Sequence, residues 1–196
     1  SLAGVSLADS PIFFSEYLEG SSNNKAVEIY NNTNQPIDLS RVVVERYNNG
    51  SMTLSYTATL SGTLAAGDVW VIANAGSVQA ILDVADDVVH SEFTFYNGDD
   101  VLLLYWDGIL QDSIGRLGED PGSEWGIGTA TTLNHTLVRK ASDCIGDVDS
   151  SDVYDPAVNY DGFALDTFTD LGTLMNNSTL VAAESSTWGA VKGLFR

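Results

Sequence analysis

The chain has 196 residues, 27 acidic and 8 basic, and its net charge is −19 although 44% of its residues are hydrophobic. This length predicts one well-cored domain, and the hydrophobic content excludes a disordered acidic chain. A surface this negative repels polyphosphate at long range, so direct nucleic-acid binding without divalent ions is disfavoured. Cys144 is the single cysteine, which excludes an intrachain disulfide, and no apolar run reaches the length of a membrane span.

The two ends of the chain are predicted to lie outside the domain. Residues 1–10 (SLAGVSLADS) are small and are typical of the start left by a cleaved leader or of a cloning scar. Residues 173–196 form a linker by composition and then an amphipathic tail. This tail either docks on the domain or is recognised by something else. Its apolar residues at helical spacing and its two cations are Trp188, Val191, Lys192, Phe195 and Arg196.

Two carboxylates lie inside apolar, strand-forming runs near the start of the chain. Glu16 lies in residues 13–18 and Glu28 in residues 27–30, and a turn-forming GSSNNK stretch separates the runs. A carboxylate in such a place needs hydrogen-bond donors. We therefore expect structural residues that accept bonds from backbone amides, from Lys25 or from arginines, and whose replacement destabilises the fold. The alternative is a catalytic acid and base, which would also need a substrate cleft.

The middle of the chain predicts short strands and one helix. The Asn-Asn-Gly sequence at 48–50 predicts a hairpin turn, and alternation over residues 52–58 predicts a half-buried strand. Residues 68–73 predict an interior strand. Residues 77–84 predict a short helix with Ser77 as its N-cap.

A second hairpin follows, and we expect it at the centre of one sheet. Residues 101–106 are continuously apolar, and Asp-Gly at 107–108 turns them back into residues 109–114. The Gly-rich and acidic residues 115–128 then predict a long surface loop. Residues 135–140 predict a returning strand.

Residues 143–162 contain six aspartates without a compensating cation. The spacing of Asp147, Asp149 and Ser151 is similar to the first ligand positions of a helix-loop-helix calcium site, but Asp152 stands where that motif needs glycine and Val158 where it needs glutamate. That motif is therefore excluded. A looser calcium site remains an expectation, and the alternative is a solvated acidic loop. The candidate ligands are Asp147, Asp149, Asp152 and Asp155.

Aromatic residues offer a second kind of binding chemistry. Trp125 and Tyr154 lie in predicted loops, where exposed rings stack on sugars or bases, although most aromatics of a sandwich pack between the sheets. No catalytic residue is predicted. The two histidines, His90 and His135, and Cys144 show no recognisable partner motif.

A series of motifs over about residues 11–172 is similar to those of one known family. The series begins with IFFSEYLEG at 12–20 and NKAVEIYN at 24–31 and continues through shorter motifs. These are PIDLS (36–40), GDVWVI (67–72), FYNGDD (95–100), DSIG (112–115), PGSEWG (121–126), TLVRK (136–140), DPA (155–157) and YDGF (160–163). In this combination the chain resembles a lamin tail domain of the bacterial type. The resemblance implies an all-β, immunoglobulin-like β-sandwich, often found beside secreted nuclease or phosphatase domains, with no chemistry established by the fold itself.

Together these features predict a non-catalytic binding or structural module of the lamin-tail type, calcium-stabilised and secreted or exposed on a bacterial surface. Its partner is an unidentified protein or surface ligand. The alternative is an accessory domain of a secreted hydrolase, or the hydrolase itself.

Overall fold

The structure, a computed structural model, describes residues 10–89 and 92–173. The expectations for residues 1–9, for His90 and for residues 174–196 lie outside the described residues. Ser10 was assigned to the leader, but it is buried and its backbone N–H donates to the carbonyl of Cys144, so it belongs to the folded domain. Two short helices are present, α1 (Gln79–Leu82) and α2 (Pro156–Asn159). The strands are β1 (Ile12–Glu19), β2 (Lys25–Asn31), β3 (Ile37–Asp38), β4 (Val42–Tyr47), β5 (Tyr56–Thr59), β6 (Thr63–Leu64), β7 (Val69–Asn74), β8 (Asp87–Val89), β9 (Val101–Trp106), β10 (Ile109–Ile114), β11 (Gly126–Ile127), β12 (Ala130–Thr131), β13 (Thr136–Arg139) and β14 (Tyr160–Phe163).

Two sheets enclose the main core. The larger has the order β14-β13-β1-β2-β7-β8, and the smaller has the order β10-β9-β4-β5. All neighbouring strands are antiparallel except β7 and β8. Side chains of both sheets, such as Phe14 and Ile72 from one and Val44 and Leu104 from the other, form one buried cluster. The predicted all-β sandwich is therefore confirmed, and no helix in residues 10–89 or 92–173 is long and apolar enough to cross a membrane.

The larger sheet is buried on both of its faces. Its outer face carries Leu18, Ala26 and Val71, which pack against Ile81 of α1 and against Leu171. Every residue of β1 and β2 is buried as a result. This explains why apolar residues such as Phe13 and Phe14 follow one another on β1 instead of alternating with exposed polar ones.

Several local predictions need correction. Residues 51–55 form no strand, and β5 begins only at Tyr56, because Met52 and Leu54 lie in an exposed loop. Ser77 does not cap α1. Its hydroxyl donates to the carbonyl of Asn23, and the N-cap is Val78.

The hairpin of β9 and β10 is confirmed, but its place in the sheet differs from the prediction. Asp107 and Gly108 both adopt positive φ (52° and 74°), as a two-residue turn of this kind requires. β9 is an interior strand, whereas β10 is the edge of the smaller sheet. A second short helix, α2, was not predicted. Asp155 caps it, and Pro156 occupies its first turn.

A buried arginine joins the two sheets. The Arg139 guanidinium, on β13, forms an ion pair with Asp112, on β10, and both side chains are almost completely buried. Arg139 Nε donates to the carbonyl of Phe14 (2.7 Å), and its Nη1 donates to the carbonyl of Ile145 (3.0 Å). Asp112 also accepts from the backbone N–H of Phe14 (2.8 Å) and of Asp147 (2.7 Å).

Neighbouring groups keep the buried Arg139 guanidinium charged. Burial lowers the pKa of the Arg139 guanidinium, but Asp112, Tyr160 and Asp143 raise it by more, and the net shift is upward. The arginine is therefore always charged. It remains buried because its donors reach acceptors on several elements.

We predict that Arg139→Met destabilises the fold by about 3–5 kcal/mol, because it leaves Asp112 charged, buried and unpaired. Chemical denaturation measures the free energy of unfolding. Arg116→Met is the matched control, since Arg116 pairs with Glu119 at an exposed site, and its loss should cost about 1 kcal/mol or less. Equal effects of the two substitutions would contradict a special role for Arg139.

Candidate functional site

Glu16 and Glu28 are brought together on the outer face of the larger sheet. They are cross-strand partners on β1 and β2, next to a bulge between Phe14 and Glu16. They are only 1% and 2% exposed. Ser15 Oγ donates to Glu28 Oε1 (2.6 Å), and the backbone N–H of Gly172 donates to Glu28 Oε2 (2.7 Å).

The donors predicted for this pair were only partly right. A backbone amide does bind Glu28, but Lys25 pairs with Glu19 instead. Within the described residues, Glu16 Oε1 is buried and has no hydrogen-bond partner. Glu16 therefore lacks the full set of donors that the sequence-based expectation assumed.

Glu28 accepts two hydrogen bonds that Glu16 lacks, and the pKa values of the two carboxyls differ accordingly. Burial raises the pKa of the Glu16 carboxyl to about 9, and the charges of Glu28 and Asp170 add to the rise. Burial also raises the pKa of Glu28, to about 7, although its bonds from Ser15 and Gly172 oppose the shift. At neutral pH, Glu16 holds a proton while Glu28 is close to its midpoint. Such a pair has the protonation that acid and base catalysis needs, but both carboxyls are buried within the described residues.

The acidic segment contains a series of local turns. Asp149 Oδ1 accepts from the N–H and hydroxyl of Ser151, Asp147 Oδ1 accepts from the N–H of Asp149, and Asp155 caps α2. In the part of the chain that the structure describes, no group of three or more His, Cys, Asp or Glu side chains is arranged to hold a metal ion. The calcium site at Asp147, Asp149, Asp152 and Asp155 thus stays a prediction.

The two aromatic residues proposed for stacking are not exposed. Trp125 and Tyr154 are 5% and 9% exposed, and their rings pack edge to face with centroids 6.0 Å apart. Their loops fold back on the sandwich, and Trp125 lies against Gly115. The expectation of exposed rings at these positions is wrong, because each ring faces the core although its backbone lies in a loop.

An exposed apolar surface was missed by the sequence reasoning. Ile145, Val153 and Val158 line a shallow depression of about 370 Å³, and Tyr154 lies in its wall. Four aspartates share the lining, so we name this region the acidic-apolar surface. They are Asp143, Asp147, Asp152 and Asp155. In the sequence, Ile145 and Val153 lie between these aspartates and Val158 follows them. The interpretation as a solvated acidic loop gave these aliphatic residues no role.

We predict that stability falls as pH rises, because of Glu16. Its pKa is 4.5 in the unfolded chain and about 9 in the folded one. Between these values the native state holds a proton that the unfolded state has released, so the stability present below pH 4.5 is lost as pH rises through 9. At pH 8, Glu16→Gln should raise the free energy of unfolding by about 1–3 kcal/mol.

Denaturation of both proteins from pH 5 to about 9 is the measurement. Glu119→Gln, at an exposed position, is the control and should not raise the free energy of unfolding at pH 8. A Glu16→Gln protein that is less stable than the parent at pH 8 would restore the original expectation that the carboxylate itself stabilises the fold.

Comparison with known proteins agrees with this architecture. Residues 6–118 match the sequence model of the Lamin Tail Domain family, and no curated protein matches the chain. Among solved structures, the chain is similar to a DUF4876 family protein from Bacteroides thetaiotaomicron VPI-5482, with 13% identity and a TM-score of 0.51, over 86% of this chain and 75% of that one. At this identity the likeness shows the fold alone. The family match covers more than half of the sequence, and the chain therefore belongs to the lamin tail domain family, with its immunoglobulin-like β-sandwich.

Proposed function

We propose that this chain is a non-catalytic binding or structural module that works outside the bacterial cell, as a secreted or surface-exposed domain. Support for this location comes from the resemblance to bacterial lamin tail domains that accompany secreted enzymes. Support for the absence of catalysis comes from the geometry of the carboxylate pair.

The observation that carries the proposal is the burial of Glu16 and Glu28. These carboxyls have pKa values of about 9 and 7, yet they are 1% and 2% exposed. Gly172, which donates to Glu28, belongs to a segment that covers this face of the sheet through Leu171. A general acid must reach the bond that it protonates. A structural role for the pair accounts for its burial and needs no such access.

The charges also disfavour direct binding of nucleic acid. Each Lys and Arg in the described part of the chain already bonds to a carboxylate or a carbonyl group, and few remain for phosphates. These pairs are Lys25 with Glu19, Arg41 with Asp107, Arg46 with Asp100, Arg116 with Glu119, Arg139 with Asp112, and Lys140 with the carbonyls of Ala157 and Val158. We therefore propose a protein or surface ligand as the partner.

A secreted hydrolase is the alternative, and the pKa of Glu28 near neutrality is the observation that favours it. We predict that the purified chain turns over phosphodiester, phosphomonoester and glycoside substrates no faster than a Glu16→Gln/Glu28→Gln variant, because the pair is buried. Steady-state assays with each substrate class measure this. Turnover that disappears in the double variant would establish an enzyme and refute the proposed function.

Calcium stabilisation remains to be measured at the predicted ligands. Asp149 and Asp155 each accept backbone hydrogen bonds on Oδ1, and the second oxygen of each carboxylate can still bind a cation. If the site forms, calcium at about ten times its Kd raises the free energy of unfolding by about 1 kcal/mol. Asp147→Asn/Asp149→Asn should abolish the effect. Calorimetry that gives the same melting temperature in calcium and in chelator would reject the site.

A further inference from the structure

The acidic-apolar surface exposes aliphatic side chains to an unusual extent. Val153 is 82% exposed, Val158 is 67% exposed and Ile145 is 45% exposed, and all three line the same depression. Single exposed aliphatic residues are common on soluble proteins, but several around one concavity mark interaction sites. β11 extends this region, since Gly126 lies against Pro156 of α2 and Ile127 is 90% exposed.

The backbone under this surface is held in place by the core. The carbonyl of Ile145 accepts from Arg139, and the N–H of Asp147 donates to the buried Asp112. Asp155 caps α2, which carries Val158. The exposed side chains therefore stand on a backbone that is ordered before any partner arrives, which lowers the entropic cost of binding.

The charge at this surface indicates what covers it. Within the described residues, Asp147, Asp152 and Asp155 make no ion pair with Lys or Arg. Asp143 is engaged by Arg139, and the nearby Lys140 donates to the carbonyls of Ala157 and Val158 rather than to a carboxylate. Three unneutralised carboxylates beside aliphatic side chains complement a partner that carries both cations and apolar groups.

We propose that the acidic-apolar surface docks a cationic polypeptide segment of a partner protein, whose lysines or arginines face the aspartates and whose aliphatic side chains cover Val153, Val158 and Ile145. This rests on the proposed function as a binding module and specifies its partner. A second copy that docks through the same surface is a poor occupant, because each copy would bring the same unpaired aspartates to the interface.

The test uses the full chain and a fluorescent peptide that repeats Lys-Val-Gly, with binding followed by anisotropy. Two matched peptides separate the contributions: Lys-Ser-Gly keeps the charge without the aliphatic groups, and Glu-Val-Gly reverses the charge. We expect Lys-Val-Gly to bind several-fold more tightly than Lys-Ser-Gly, and Glu-Val-Gly not to bind. Binding of Lys-Val-Gly should weaken several-fold when salt rises from about 50 to about 300 mM.

The variant Val153→Ser/Val158→Ser should weaken this binding about tenfold, because it removes two aliphatic contacts. Its matched control is Val78→Ser/Val88→Ser, two valines of comparable chemistry that are 45% and 44% exposed and lie beside α1 and on β8, the far edge of the larger sheet. The control should bind the peptide as the parent does. Thermal melting checks that both variants fold.

Several results would overturn the proposal. These are no binding of Lys-Val-Gly, equal binding of Lys-Ser-Gly, or unchanged binding by the Val153→Ser/Val158→Ser variant. Sedimentation that shows a dimer of the parent chain, lost in that variant, would instead assign the surface to a second copy. A negative result with these peptides would leave a non-catalytic module with a different binding surface. By contrast, substrate turnover by the parent chain that disappears in Glu16→Gln/Glu28→Gln would refute the proposed function itself.

Discussion

The ion pair between Arg139 and Asp112 is the interaction on which the rest of this structure depends. A planar guanidinium with five donors can serve several elements at once, and here it joins β13, the backbone of β1 and the edge strand β10. Burying two charges is unfavourable unless their remaining hydrogen-bonding groups are satisfied. Here backbone amides donate to Asp112, and backbone carbonyls accept from Arg139. The pair thus joins the two sheets at the edge strand β10.

The same pair positions the candidate interaction surface. The chain from Asp143 to Asp147 follows β13 and is held by Arg139 at Ile145 and by Asp112 at Asp147. Gly146 fits there because its Cα lies against the carbonyl of Gln111, which leaves no room for a side chain. The exposed Val153, in the loop that follows, and Val158, on α2, therefore come after a connection that buried charges hold in place. This short connection links the buried pair of Arg139 and Asp112 to the acidic-apolar surface.

The covering of the larger sheet on its outer face has a separate consequence. It encloses Glu16 and Glu28, and this burial raises the pKa of both carboxyls. The charge of Glu28 adds to the rise at Glu16, and the charges of Asp86 and Asp170 add to the rise at Glu28. Perturbed carboxyls are common at catalytic sites, but buried structural groups show the same shifts. A catalytic carboxyl must be accessible to its substrate, whereas a structural carboxyl need not be. Within the described residues, Glu16 and Glu28 are buried, whereas Val153 and Val158 are exposed beside aspartates.

The sequence by itself determined the fold class, the family and the elements that local chemistry specifies. Continuous apolar runs and the Asp-Gly turn at 107–108 were enough to predict β9 and β10, because φ preference and strand propensity act over a few residues. The burial of Glu16 and Glu28 was also predictable, since both stand within apolar runs.

Only the tertiary structure decided which groups meet. Lys25 was a reasonable partner for Glu28, but strand register aligns it with Glu19. Trp125 and Tyr154 appeared exposed because their backbones lie in loops, yet each ring packs against a distant part of the chain. The pairing of Arg139 with Asp112 joins residues 27 positions apart on different sheets. Such contacts arise from long-range packing, and no local pattern of residues encodes them.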